Sequence, residues 1–251
     1  MRILLFYLTV ILFVISACEK ESASADYNSD TGTGGSTARF ATVGDYLYTV
    51  NNRSMKIFKT QDPTAPVYVN EITIGEGTET IFPYKDNLFL GTRTGMHILS
   101  LEQPANPQKI SFYEHVVSCD PVVVQDTLAY VTLRSSEEWC NRRVNELHII
   151  DISNLTAPVL LKKYNMQNPY GLGIDGNNLY VCDTDLKHFD VSDIYNIQLK
   201  NAFSIPANDV IPLGDILLVT ADDGIYQYST LDNDLTFLSK IAVHHHEETY
   251  N

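Results

Sequence analysis

Five times along the chain the same unit recurs: an Asp or Asn, a short aromatic-rich strand, a turn, a second strand, a Pro-bearing turn and a third strand. The markers Asp45, Asp86, Asp126, Asn177 and Asp215 are spaced by 41, 40, 51 and 38 residues. A unit of this size cannot bury both faces of its own sheet, so it must stack on its neighbours. A period of about 40 residues with several short strands per unit predicts an all-β chain: a β-propeller of five blades, each of four antiparallel strands.

In the second unit the four strands are read at 81–85, 87–92, 96–101 and 108–115. Runs such as Tyr46-Leu47-Tyr48-Thr49-Val50 and Leu128-Ala129-Tyr130-Val131 have the β-branched and aromatic character of half-buried strands. The folded region is expected over residues 38–243, long enough for one domain with a substantial core. Radial closure of five blades would remove long sheet edges. Residues 39–44 match an innermost strand, so all five blades are expected to be complete in chain order, with no strand exchanged between first and last.

Residues 1–17 read as a secretion signal. Arg2 is followed by an apolar run from Ile3 to Ile15, shorter than the roughly 20 residues a spanning helix needs. Ile15-Ser16-Ala17-Cys18 resembles the lipobox of bacterial lipoproteins, which implies lipidation of Cys18 and a membrane partner reached through the lipid. Residues 18–37 then read as the modified Cys and a tether of Ser, Gly, Thr, Asp and Glu, too polar to offset its ordering entropy. As a random coil, Glu19 to Thr37 would reach roughly 22–26 Å. Glu19-Lys20-Glu21 is similar to export signals of Bacteroidetes-type surface lipoproteins, which implies an outer-membrane or cell-surface location.

The chain carries 31 acidic residues against 17 basic ones, a formal charge of −14. Cleavage after residue 17 would remove Arg2 and no acid. Such a surface argues against nucleic acid and against direct contact with anionic lipid.

Three segments carry a family resemblance. Met55-Lys56-Ile57-Phe58-Lys59-Thr60-Gln61-Asp62-Pro63-Thr64-Ala65-Pro66, Met96-His97-Ile98-Leu99-Ser100-Leu101-Glu102-Gln103-Pro104-Ala105-Asn106-Pro107 and Leu147-His148-Ile149-Ile150-Asp151-Ile152-Ser153-Asn154-Leu155-Thr156-Ala157-Pro158 resemble LVIVD repeats of bacterial and archaeal cell-surface proteins. Residues 186–203 and 225–242 match less well and lack both prolines. The resemblance implies a propeller and a surface location, and carries no catalytic residue with it.

In a four-stranded blade, the loop leading into the innermost strand and the loop joining strands two and three share one face, the usual binding face of propellers. Six residues before the markers lie Arg39, Thr80, Asp120, Gly171 and Asp209, expected around the channel mouth; Glu79, Tyr170 and Asn208 precede three of them. Arg93 lies on a second-set loop of the same face. An insertion of about ten residues, Arg134 to Arg143, lengthens the third unit and holds the lone tryptophan. Trp139, with Arg134 and Arg142 beside it, could stack on a sugar ring or anchor a protein contact, or fold down onto its own loop. Cys119 and Cys140 fall at the same end of the third blade and are expected to pair in an oxidising compartment. A bridge of that span is worth about 3 kcal/mol. Cys182 ends a strand and is expected to pack as a small apolar group.

No nucleophile, zinc-protease, calcium-loop or phosphate-loop motif is present. His244-His245-His246-Glu247-Glu248 holds metal-ligand residue types without fixed geometry, in a tail over 244–251; no metal and no cofactor is expected. His97, His115, His148 and His188 share no spacing, and packing roles are expected. Asp120, Asp209 and Glu79 could together supply the acid and base of an extracytoplasmic glycan-active enzyme, as in five-bladed glycosidases, or could each bond to a neighbour such as Arg39 or Arg93. The favoured expectation is a surface-anchored binding or scaffold protein, not an enzyme, whose partner is a glycan, a peptide or an envelope protein.

Overall fold

The computed structural model describes residues 34–115, 121–135, 144–231 and 234–243. Its sheets are five, each of four strands in sequence order. Blade one holds β1 (Phe40–Val43), β2 (Tyr46–Val50), β3 (Ser54–Lys59) and β4 (Val67–Thr73). Blade two holds β5 (Thr78–Tyr84), β6 (Asn87–Thr92), β7 (Gly95–Ser100) and β8 (Gln108–Glu114). Blade three holds β9 (Val122–Gln125), β10 (Leu128–Leu133), β11 (Glu146–Asp151) and β12 (Val159–Asn165). Blade four holds β13 (Leu172–Asp175), β14 (Asn178–Cys182), β15 (Leu186–Asp190) and β16 (Gln198–Phe203). Blade five holds β17 (Asp209–Leu213), β18 (Ile216–Ala221), β19 (Gly224–Ser229) and β20 (Thr236–Ala242). The all-β propeller of five four-stranded blades is therefore as expected, and no strand passes between blades. Among the described residues no helix is long and apolar enough to cross a membrane.

The turn between the first two strands sets the register of each blade. Its first residue has positive φ in all five: Gly44 at 53°, Lys85 at 50°, Asp126 at 55°, Gly176 at 56° and Gly214 at 62°. Tight two-residue hairpins demand this conformation, which Gly tolerates best. The second turn residue offers its carbonyl to the amide that follows the third strand: Asp45 to Thr60, Asp86 to Leu101, Thr127 to Ile152, Asn177 to Val191 and Asp215 to Thr230. The repeat marker of blade three is thus Thr127, one residue after Asp126. That shift moves the start of its inner strand to Pro121, whose carbonyl accepts the Thr132 amide as the Arg39 carbonyl accepts that of Val50.

A β-bulge breaks each outer pairing at the same place, between Ile57/Phe58, Ile98/Leu99, Ile149/Ile150, His188/Phe189 and Gln227/Tyr228. Bulges add right-handed twist to the strands that carry them. The turn that follows strand three survives without its prolines in blade four, where the Asn196 amide donates to the Asp193 carbonyl just as Ala65 does to Asp62.

Apolar seams join the blades. Tyr48, Met55 and Ile57 of blade one meet Leu88, Leu90 and Leu99 of blade two. Phe89, Met96 and Ile98 meet Ala129, Val131 and Ile150. Tyr130, Leu147 and Ile149 meet Leu179, Val181 and Phe189. Tyr180, Cys182 and Leu186 meet Leu217 and Val219 of blade five. In every case one face of a blade meets the opposite face of the next. Each fully buried side chain of this size is worth roughly 1.5–3 kcal/mol.

The junction between blades five and one differs from the other four. No buried apolar cluster joins blade five to blade one among the described residues, and β17 does not abut β1 as β1 abuts β5, β5 abuts β9 and β13 abuts β17. Leu47 and Thr49 occupy the positions of Leu88 and Leu90, yet remain half-buried. Leu218, in the position of Tyr48, Phe89, Tyr130 and Tyr180, is half-buried as well. What spans the opening is the stretch just before β1, described next.

Candidate functional site at the channel mouth

Asp209 opens β17 and is 3 % exposed. Its carboxylate accepts the Ser36 hydroxyl at 2.7 Å, the Thr37 amide at 2.9 Å, the Thr37 hydroxyl at 2.6 Å and its own neighbour's amide, Val210, at 2.9 Å. Ser36 in turn accepts the Leu172 amide of blade four at 2.8 Å. Gly35 and Gly171 press against the carboxylate so closely that a Cβ on either would collide with it. Residues 35–37 therefore cross the mouth and fasten to blades four and five, while the Ala38 carbonyl accepts the Ile81 amide of blade two at 2.9 Å. Burial pushes the Asp209 carboxyl up, against the pull of its donors. Expected on the open mouth, Asp209 instead lies beneath this crossing segment.

Glu79 and Arg93 form an ion pair on blade two, Nε to Oε1 at 3.2 Å. The aliphatic stem of Arg93 lies over Gly77. Of the three acids proposed as an axial group, Asp209 and Glu79 thus serve separate local partners. Asp120 lies outside the described residues, as do Cys18, Cys119, Trp139, Cys140, Arg142 and the 244–251 tail.

Arg134 and Tyr170 come together. The Arg134 guanidinium carbon stands 3.7 Å from the centre of the Tyr170 ring, within the range of a strong cation–π contact. Their backbones are fixed by distinct blades. The Tyr170 amide donates to the Cys182 carbonyl at 2.6 Å, and its carbonyl accepts the Thr132 hydroxyl at 2.6 Å. Asn145 pins the base of the insertion: its Oδ1 accepts the Ser135 amide at 3.0 Å and the Ser135 hydroxyl at 3.1 Å, and its Nδ2 donates to the Gln167 carbonyl.

Beneath this, the Asp183 carboxylate accepts the amides of Gln167 and Asn168 and pairs with Lys187 at 2.6 Å. Burial raises its carboxyl, but these donors outweigh it and hold the group below the usual carboxylate range. Asp183 thereby holds the 167–170 loop that presents Tyr170. Neither Asp183 nor Asn145 is among the candidate site residues read from the sequence. Both are loop residues of the type that bonds to backbone amides, which is the signal that could have drawn attention to them.

The histidines are engaged in packing and hydrogen bonding. His97 lies 4.4 Å from Phe112, with its pKa lowered to about 4 by burial and then by Lys109. His148 is buried, its Nε2 2.7 Å from Glu146 Oε2. Burial again leads in lowering its pKa. His188 stacks on Tyr180 at 4.6 Å. Among the described residues no group of three or more His, Cys, Asp or Glu could hold a metal ion.

A cavity of about 470 Å³ opens away from the mouth, between blades four and five, lined in part by Asp175, Tyr180, His188, Lys200, Phe203 and Asp234. Its opening has a local cause. In the preceding seam Tyr164, the counterpart of Phe203, donates its hydroxyl to the Ile194 carbonyl at 2.7 Å and so ties down the loop of the next blade. Phe203 has no hydroxyl to do the same.

With strand order, bulges and mouth in place, the chain can be set beside known proteins. Residues 142–166 match the LVIVD repeat family. This LVIVD unit covers the end of the insertion, β11, the turn and β12, and so includes Asn145, Glu146 and His148. No curated protein sequence matches the chain. Solved structures share the fold of the LVIVD-bearing chain at low identity. A protein from Lactobacillus plantarum is 13% identical with a TM-score of 0.61, over 79% of this chain and 69% of that one. A functionally unknown protein from Desulfotomaculum acetoxidans is 14% identical with a TM-score of 0.60, over 85% and 69% respectively. The periplasmic gluconolactonase of Pseudomonas aeruginosa is 15% identical with a TM-score of 0.59, over 80% and 68%. At these identities the likeness extends to the propeller fold alone.

Proposed function

We propose that the chain is an extracytoplasmic lipoprotein, anchored through Cys18 at the outer membrane or cell surface, whose propeller acts as a binding or scaffold module. The observation that carries this reading is the Arg134–Tyr170 pair at the mouth, 3.7 Å apart and at the base of the insertion that bears Trp139 and Arg142. A guanidinium held over an aromatic ring is an amphipathic platform of the kind that sugars and peptide carboxylates engage. Two of the axial acids have local partners, Asp209 in Ser36 and Thr37 and Glu79 in Arg93, which supports a structural role for them over that of a carboxylate pair flanking a scissile bond.

Thermal-shift titration with oligosaccharides and envelope peptides tests the proposal, since a ligand of the native state raises the melting temperature. Each hit is checked for product, and gluconolactone is included because a propeller of this fold hydrolyses it in another organism. The expected result is stabilisation without turnover, lost in Tyr170→Ala. Product formation that disappears in Asp209→Asn or Glu79→Gln would overturn the binding-module reading.

A further inference from the structure

Four seams in this molecule are built alike, and the two half-seams left over complement each other. The leading face of each blade, centred on the third residue of its second strand, packs on the trailing face of the next. On blade five no blade among the described residues packs on that leading face, which is covered only at its inner end, where Gly35 lies against Ile211. Pairing places Ile211 opposite Leu218, Leu213 opposite Ile216, and Ile225 opposite both Thr220 and Ile241. Leu213 is 43 % exposed, Ile225 39 % and Ile241 68 %. Gln227, Ser229 and Ser239 complete the face, which carries no charge among these residues. The trailing face of blade one, on which no described blade packs, pairs Phe40 with Thr49, Leu47 with Phe58, and Phe58 with Tyr68. Phe40 is 60 % exposed and Tyr68 55 %. Lys56 and Glu71 lie opposite each other on the same face.

We infer that blade five of one copy packs on blade one of a second copy of this chain. The argument rests on what the chain already does. A leading face on a trailing face is a contact it makes four times within itself, and a second copy supplies both halves of a fifth. A contact of this kind is heterologous, the head of one subunit meeting the tail of another. Two copies that exchange it twice form a closed two-fold ring; copies that exchange it once form a linear array. Isolated exposed apolar residues are ordinary on any protein, whereas a contiguous sheet face of Ile, Leu and Phe marks an interaction surface. The segment 35–37 fastens to the inner end of blade five at Asp209 and Ile211, and among the described residues it does not extend over Leu213, Ile225 and Ile241, which stay exposed.

The test uses the full chain in mild detergent, by sedimentation velocity over a range of concentrations and by cross-linking. Dimers or larger species are expected to grow with concentration. Leu218→Lys buries an unpaired charge in the proposed contact and is expected to weaken association at least about tenfold. Because Leu218 lies in none of the four internal seams, its melting temperature is expected to stay near that of the parent, which separates loss of assembly from loss of fold. A short bismaleimide linker is expected to join Leu218→Cys chains to Leu47→Cys chains when the two are mixed, and to join neither variant to itself through the new cysteines. A monomer at every concentration would overturn the inference. So would association that Leu218→Lys leaves unchanged, or a cross-link within a single Leu47→Cys/Leu218→Cys chain, which would show the ring closing on itself. Co-purification of a different protein that Leu218→Lys releases, in place of self-association, would assign the face to that partner and overturn the self-pairing.

Discussion

The Asp209 carboxylate accepts the Ser36 hydroxyl at 2.7 Å across 173 positions of the chain. Through this bond, and the Thr37 bonds beside it, the start of the fold is fixed to its last blade. Ser36→Ala would orphan the Leu172 amide in a buried site and leave Asp209 Oδ1 with the Val210 amide as its remaining donor. A loss of about 1–3 kcal/mol is expected, read as a lower denaturation midpoint in urea with an unchanged slope.

Gly171→Ala is expected to cost more. The added methyl would meet the Asp209 carboxylate and, at 2.7 Å, the backbone of Asn208 and Asp209. Backbone cannot swing away as a flexible side chain can, so a loss of about 3 kcal/mol or more is expected. Gly176→Ala has open space around its added methyl but a φ of 56°. It should cost only about 1 kcal/mol, by strain. Thermal melts of the two variants distinguish collision from strain.

The pKa values of Asp183 and Asp209 are shifted in opposite directions. Asp183 is held below its ordinary 3.8, so the stability it contributes is present above that value and is lost as pH falls through its folded pKa. Asp209 is raised above 3.8, so its contribution is complete below that value and is lost as pH rises through the folded pKa. Carboxyl-carbon NMR of the two side chains over pH 2 to 8 checks both signs. The Asp183→Asn variant should lose about 1–3 kcal/mol at neutral pH, with the deficit shrinking toward acid.

His97 is lowered to about 4 from 6.5. The unfolded chain therefore takes up a proton there before the folded chain does, and stability falls as pH drops from 6.5 toward 4. His97→Phe, which keeps a ring against Phe112, is expected to flatten that part of the stability profile. Urea midpoints at pH 7 and pH 4.5 measure it.

Cys182 is buried and burial pushes its thiol pKa well up. It is expected to resist maleimide in the native protein and to react on unfolding. If Cys119 and Cys140 pair and Cys18 is lipidated, Cys182 is the single thiol titrated in denaturant without reductant. Cys18→Ser would abolish palmitate labelling of the chain.

The blade count and strand order were legible because each unit alternates apolar and polar residues and ends at a turn residue. The frame of blade three was not. Turn chemistry accepts Asp, Asn or Gly at either of the two hairpin positions, and Asp126 fills the first where Asp86 fills the second. The spacing alone could not choose between them. Ring closure was illegible for another reason: Leu47, Thr49 and Leu218 read as half-buried strand whether or not a blade lies against them. At the mouth, Arg134 and Tyr170 were each identifiable as candidates. Their contact depends on how blades three and four sit against each other, which depends in turn on the Thr132 hydroxyl and the Asp183 carboxylate. The bulges left no mark in composition at all, since any residue can fill them.

Residues 35–37 cross the same mouth that Arg134 and Tyr170 flank, so the described chain begins at the centre of that side. If Cys18 is the anchor proposed above, the propeller would hang like a lamp from its middle, with the platform turned toward the surface that holds it and the five hairpin turns facing away. What such a molecule grasps would lie between itself and its own membrane, within the roughly 22–26 Å its leash can span.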